Sequence, residues 1–211
     1  LTGQGKLEAC KSGECIKELK LNIDHFFSSF QLRAINTLKL IQDTLRDNRV
    51  PIRAWQLNER HYGVLTGLNK DEMKKKYGEK KIHEFRRSWN IKPDPLSRNN
   101  PYHPLNIEIY KKIPVEKIPD TESLKDTYER VMKYYNSDIR SKLIDNKNIV
   151  ISAHGNSIRA LCKFLFKLDD KKISLLEIPT GNPLLINLNL NQEITECKYL
   201  NKDRAKNLLV F

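Results

Sequence analysis

No stretch of the sequence approaches the ~20 consecutive apolar residues that a membrane-crossing helix needs. The opening LTGQGKLEACKSG has no apolar core of the kind a secretory signal carries, and it starts on Leu rather than Met, which fits a processed chain or a fragment. Cysteine is scarce: Cys10, Cys15, Cys162 and Cys197 form no CxxC pair and have no histidines at zinc-ligand spacing. Reduced thiols in a cytosolic protein are therefore expected, with neither a disulfide framework nor a metal site. Acidic residues are also short, 26 Asp and Glu against 38 Lys and Arg, a formal charge of +12. The lysines are spread along the chain, the longest block being Lys74-Lys75-Lys76, and no zinc knuckle, RGG tract or aromatic-basic RNA signature accompanies them. Positive charge suits a small anionic substrate as well as a nucleic acid, so charge alone does not choose between them. Internal repeats and low-complexity linkers are lacking too.

What is present is one domain's worth of chain, 211 residues with 39% hydrophobic content, enough to bury a core. Leu7, Cys10, Ile16 and Leu19 predict a first helix ending near Leu21-Asn22. NIDHFFSS predicts a strand with Ile23, Phe26 and Phe27 inward. Ala34, Leu38, Ile41 and Leu45 predict an amphipathic helix from Phe30 to about Arg46. Val50 to Leu57, opened by Pro51, is a second strand candidate. Residues 58–120 lack strong periodicity beyond short helices at about 70–76 and 79–87, and carry six prolines from Pro93 to Pro119. So long an irregular stretch is expected to be a functional insertion. Thr121-Glu122-Ser123 precedes a predicted helix to about Lys142, with Leu124, Tyr128, Val131 and Tyr135 inward. Asn148 to Ala153 predicts a buried strand, Ser157 to Lys167 a helix, and LLINLNL with ITECKYL a pair of strands joined at Asn191-Gln192. Strands alternating with helices predict an α/β layered sheet.

Three local patterns carry chemistry. In NIVISAHGNSIRALCKFL a strand runs into His154-Gly155-Asn156-Ser157 and then a helix; Gly155 suits a tight turn and Ser157 a helix cap. Backbone N–H groups at such a helix start favour a phosphate, and His154 and Asn156 can donate towards it. The same residues also fit a satisfied histidine in an ordinary strand-to-helix turn. LNERHYG, after a strand, places Glu59 where it is either part of a surface ion-pair cluster or a proton donor and acceptor beside the phosphate site. Arg86-Arg87 offers forked donors for carboxylate and phosphate oxygens, unless both are simply solvated. Arg33 adds a cation near a strand's C-terminal end, where ligands of open α/β sheets bind. IPTGNP at 178–183 reads as a structural turn.

Together, LNERHYG (57–63), GLNK (67–70), RRS (86–88), TES (121–123), AHGNS (153–157) and IPTG (178–181) resemble, in order and spacing, the bisphosphoglycerate-dependent phosphoglycerate mutases of the histidine phosphatase superfamily. LTGQGKLEA and FSSFQLRAINT extend the resemblance from Leu1 onward. It implies a three-layer sandwich with a mostly parallel central sheet flanked by helices, a single domain over 1–211 in which 58–120 covers the active site. It also implies cytoplasmic interconversion of 3-phosphoglycerate and 2-phosphoglycerate in glycolysis and gluconeogenesis, through a phosphohistidine primed by 2,3-bisphosphoglycerate and without a metal. Carried over residue by residue, Glu59 is the proton donor and acceptor. His154 donates to the transferring phosphoryl group and Arg33 stabilises its charge. Tyr62, Lys70, Arg86, Arg87 and Asn156 hold the substrate. A homodimer or homotetramer is expected, with no nucleic-acid or membrane partner.

One departure stands out. The family's phosphorylated histidine lies in an Arg-His-Gly triplet, and none of His25, His61, His83, His103 and His154 is in one. The gapless resemblance puts that triplet, together with the family's first core strand, before Leu1. On that basis the chain alone is expected to be poorly stable and without mutase turnover. The alternatives are an inactive or truncated homologue that at most binds phospholigands, a bisphosphoglycerate synthase, and a phosphatase of the same superfamily. LNERHYG and GLNK argue against the phosphatase, and a covering segment that excludes water from the phosphohistidine points the same way.

Overall fold

Residues 1–205 are described by the computed structural model, except the side chain of Lys70. The central layer is a parallel sheet in the order β2–β1–β3, made from β1 (His25–Ser28), β2 (Ile52–Arg53) and β3 (Ile149–Ser152). Phe27 lies opposite Ile52 on one side and Ile151 on the other. The alternation of β1 sets the two flanking layers. Phe26 packs with Ile16, Leu38 and Ile41, from α1 (Gly3–Glu18) and α2 (Leu32–Leu45). Its neighbour Phe27 points the other way, into a cluster with Leu57, Val131, Ile139 and Ala160. These last come largely from the helices that begin with α5 (Leu124–Tyr134) and α7 (Gly155–Leu165). This is the layered α/β arrangement expected from the sequence.

Several elements differ from their predicted form. The first helix buries Ala9, Ser12, Gly13, Cys15 and Ile16, while Leu7 is 67% exposed and Cys10 half-buried. The face is turned because α1 packs closely on α2: a Cβ on Gly13 would stand 2.7 Å from Thr44 Cβ. The second strand shrinks to two paired residues, since Leu57 N–H donates to Ala54 O at 3.1 Å and Asn58 N–H to Trp55 O at 2.9 Å, which curls the chain into a 3-10 turn. The long helix after Ser123 is broken by a π-helical segment, Tyr135–Ile139, before α6 (Arg140–Ile144). That widened turn brings both Tyr135 and Ile139 into the core, 3% and 0% exposed.

The short helices α3 (Lys70–Tyr77) and α4 (Glu79–Arg87) form close to where they were predicted, with a small core of Leu65, Ile82 and Phe85. Their segment has little regular structure beyond them and is laid down backbone on backbone. Val64 N–H donates to Asp94 O at 3.0 Å, Leu96 N–H to Asp120 O at 2.9 Å, and Glu122 N–H to His61 O at 2.8 Å. Gly63 sits at that crossing with φ +53°, and a Cβ there would lie 2.1 Å from Asp94 O. An α-helix with no sequence expectation is α8 (Asp170–Leu175), capped by the Asp169 carboxylate. The C-terminal strands β4 (Leu184–Leu188) and β5 (Ile194–Tyr199) pair antiparallel as expected, in a sheet of their own among the described residues. No helix among those residues is long and apolar enough to cross a membrane.

Candidate active site

The parallel strands deliver the site residues from their C-terminal ends. After β1 the chain reaches Ser29 and Gln31, then Arg33 on the first turn of α2; after β3 it reaches His154 and the start of α7. His154 is 4% exposed, and its Nε2 lies 2.8 Å from Ser29 Oγ. Ser157 is not the cap that the sequence suggested. It occupies the third helical position, where its Oγ accepts the His154 N–H at 3.1 Å and turns the chain into α7. Gly155 is not demanded by the turn either: a Cβ there would meet nothing within 4 Å, so open space lies over the helix N-terminus.

Glu59 comes from the other side. Its N–H donates to Gln31 Oε1 at 2.9 Å, and its Oε1 accepts from Arg60 N–H at 2.8 Å and Asn156 Nδ2 at 2.9 Å. The reading of Glu59 as a surface ion-pair residue does not hold, because its carboxylate is half-buried and hydrogen-bonded rather than salt-bridged. The Asn156 amide also donates to Tyr62 Oη at 2.9 Å, and its Oδ1 accepts from Arg159 Nη1 at 3.0 Å. Asn156 therefore spends its donors on Glu59 and Tyr62 and acts as a brace, not as the phosphate donor suggested by its motif.

The loop that carries Glu59 is pinned from below by Arg130. That guanidinium donates to Gln56 O at 2.5 Å and Asn58 O at 3.0 Å, and makes a two-pronged pair with Glu122 at 2.6 and 2.9 Å. Glu122 in turn accepts the His61 N–H at 2.8 Å. This is the work of the TES motif in the fold.

A cavity of about 540 Å³ opens beside Glu59, lined among others by Arg33, Arg60, Tyr62 and Arg86; His154, Asn156 and Arg87 are not among its lining residues. Arg33 and Arg86 are exposed and make no hydrogen bond or ion pair among the described residues. Arg87 differs from its neighbour, being paired with Glu177. Lys70 opens α3, and its side chain lies outside the described residues. Two buried arginines had not been singled out. Arg60 is 2% exposed, 4.5 Å over the Tyr62 ring, with Nη2 on Phe85 O at 2.7 Å and with Nε and Nη1 unpartnered. Arg159 is 4% exposed, and its Nε is unpartnered. Burial, with Arg87 and Arg60 nearby, pulls its pKa down to about 10, so it stays cationic at neutral pH. The adjacency of Arg60 to Glu59 was the available signal for one; Arg159, one helical turn beyond Gly155, gave none.

Burial also pushes the pKa of His154 down to about 4, with Arg33 and Arg130 acting in the same sense and Glu59 opposing them. The imidazole is neutral at neutral pH. The arrangement thus holds a neutral histidine, a carboxyl side chain that lines the cavity, and unpaired guanidinium groups. That set can bind an anionic substrate and move a proton and a phosphoryl group.

The chain matches the histidine phosphatase superfamily (branch 1) over residues 1–203. It is 78% identical over 211 residues to a 2,3-bisphosphoglycerate-dependent phosphoglycerate mutase of Pelagibacter ubique, covering 100% of this chain and 89% of that protein. A Caulobacter protein of the same name is 44% identical over 209 residues, covering 99% and 87%. Among solved structures, a mycobacterial glucosyl-3-phosphoglycerate phosphatase superposes with a TM-score of 0.63 at 18% identity, over 94% of this chain and 85% of that one. The alpha-ribazole phosphatase of Shigella flexneri does so with 0.63 at 16%, over 95% and 83%. At those identities the two structures speak for the fold. The sequence relatives go further: the chain belongs to the 2,3-bisphosphoglycerate-dependent phosphoglycerate mutases of the histidine phosphatase superfamily.

Proposed function

We propose that this chain interconverts 3-phosphoglycerate and 2-phosphoglycerate in the cytoplasm, through a phosphohistidine primed by 2,3-bisphosphoglycerate. The observation that carries the reading is the half-buried Glu59 carboxylate, set by Asn156 and the Arg60 N–H at the mouth of a cavity with unpaired arginines. The residues present fit a bisphosphorylated primer: the free N–H groups of buried Arg60 and Arg159, exposed Arg33 and Arg86, and the open space over Gly155 are all suited to phosphate or carboxylate oxygens. Arg33, Arg60, Arg86 and Arg87 would hold it, with Tyr62, Lys70 and Asn156 completing the pocket; when bound, it supplies the phosphoryl group.

Glu59 accepts the proton of the attacking substrate hydroxyl as that oxygen takes the phosphoryl group, and returns a proton to the departing oxygen in reverse. Neutral His154 can offer one ring N–H to the transferring group, while Arg33 spreads its charge. The single-domain organisation, with 58–120 as a cover over this site, belongs to the same proposal. It is supported by the cavity, whose lining mixes Gln31 and Arg33, from the turn after β1 and the start of α2, with Leu65, Ile107 and Tyr110 of that segment. Self-association as a dimer or tetramer is supported by β2, whose outer edge has no partner strand among the described residues and which lies beside 90%-exposed Val50.

The test is a coupled assay of 3-phosphoglycerate turnover with 2,3-bisphosphoglycerate present, on this chain and on the chain extended N-terminally by an Arg-His-Gly segment. Turnover is expected in the extended form, and Glu59→Gln should lower its kcat by about 100-fold or more. A folded, extended protein without turnover, or turnover indifferent to Glu59→Gln, would overturn the reading.

A further inference from the structure

Gln31 stands where α2 should be capped and does not cap it. Its backbone is extended, φ −80° and ψ 132°, yet its side chain makes no bond to the first turn of the helix. Ser, Thr, Asp or Asn at this place would satisfy an orphan N–H and stabilise the helix. The Gln31 amide is used elsewhere. Oε1 accepts the Glu59 N–H at 2.9 Å, and Nε2 donates to Tyr110 Oη at 2.7 Å. Its own N–H donates to Ser29 Oγ at 3.1 Å, the hydroxyl that lies 2.8 Å from His154 Nε2.

Tyr110 ends a single 3-10 turn, Glu108–Tyr110, in the proline-rich half of the segment over the cavity. The other side-chain hydrogen bonds and ion pairs of residues 97–118 stay within that stretch or go to neighbouring Asp120, as from Arg98 at 2.9 Å and His103 at 3.1 Å. Among the described residues, Gln31–Tyr110 is the side-chain hydrogen bond that ties this flap to the α/β body. One amide therefore joins the flap to the loop bearing the proton-transfer group, and both Gln31 and Tyr110 face the cavity.

We propose that Gln31 is a positioning residue that couples seating of the 97–118 flap to placement of the Glu59 carboxylate. With Tyr110 seated, the amide is fixed at both ends and Glu59 N–H keeps its acceptor. When the flap lifts, Nε2 loses its partner, the amide is free to rotate, and the loop at Glu59 loosens. Proton transfer is then aligned only beneath a seated flap, the state that also excludes water. The role rests on the reading of Glu59 as the proton-transfer group.

Hydrogen exchange on the chain itself, without substrate, tests the coupling. Tyr110→Phe deletes one hydroxyl in the flap and should accelerate exchange not only at 107–113 but also at 58–61, by about three- to tenfold, the worth of one neutral hydrogen bond. Gln31→Met should do the same at both places, and the double variant should add little to either. In the N-terminally extended form, each single variant should lower kcat three- to tenfold while KM for 3-phosphoglycerate stays within about twofold, a split that general loosening would not give. Exchange changes confined to the flap in Tyr110→Phe, or additive effects in the double variant, would overturn the proposal. If the extended wild-type chain has no turnover, the proposed function fails, and the exchange measurement still decides the coupling.

Discussion

At the scale of single residues, His154 shows burial acting on chemistry. In the unfolded chain its imidazole takes up a proton near pH 6.5; in the folded one burial, Arg33 and Arg130 delay this until about pH 4. The unfolded state therefore binds more protons between those values. Stability is fully present above pH 6.5 and is lost as pH falls towards 4, by an amount on the order of 3 kcal/mol. His61, lowered mainly by burial, pulls in the same direction. Urea unfolding at pH 7.5 and 4.5 should show a large loss in the wild-type chain and a smaller one in His154→Gln. Parallel losses in the two would mean that another group titrates. Motif reading singled out His154, Glu59 and Arg33 because each sits next to a strand end or within a dense run of functional residue types. It missed Gln31, Arg130 and Arg159, whose importance comes from partners 28, 72 and 14 positions away in sequence. A lone Gln or Arg on a helical pattern carries no sign of such a partner.

Elements were legible to the extent that a periodicity decided them. Ala34, Leu38 and Ile41 are buried on α2 as their spacing predicted. The first helix was placed correctly but rotated, because small residues at Ser12 and Gly13 allow close approach to α2 and large apolar ones do not. The π segment was invisible, since one extra residue per turn leaves no signature in composition. Two glycines separate backbone need from ligand need. Gly63 has φ +53° and no room for a Cβ against Asp94 O, whereas Gly155 has neither constraint. Gly63→Ala should destabilise the chain by more than about 1 kcal/mol, read as a lowered urea midpoint. Gly155→Ala should leave stability level or slightly raised, by up to ~1 kcal/mol. It should nevertheless weaken phosphoglycerate binding at least several-fold in calorimetry, because a methyl group would fill the space over the helix N-terminus. Unchanged binding in Gly155→Ala would show that the phosphate does not approach there.

For the whole molecule, the excess of cations acquires a place once the fold is known. Lys75, Lys80, Lys112 and Lys117 are exposed in segment 58–120 and make no ion pair among the described residues, whereas Lys74, Lys81 and Lys111 are paired with Glu79, Glu84 and Glu108. Lys117 and Arg86 are exposed, and both line the cavity. With a net charge of +12, the field at this mouth draws in an anion that carries both a carboxylate and a phosphate. Steering of this kind acts on encounter and is screened over about 10 Å at 0.1 M salt. It therefore belongs in kcat/KM and not in the bound complex. In the form of the enzyme that turns over, raising the salt from about 20 to 200 mM should lower kcat/KM several-fold and leave kcat nearly level. Reversing Lys112 and Lys117 to Glu, neither hydrogen-bonded to nor ion-paired with Glu59 or His154 among the described residues, should flatten that dependence. Equal salt slopes in the wild-type and reversed proteins would show that Lys112 and Lys117 have no part in substrate capture.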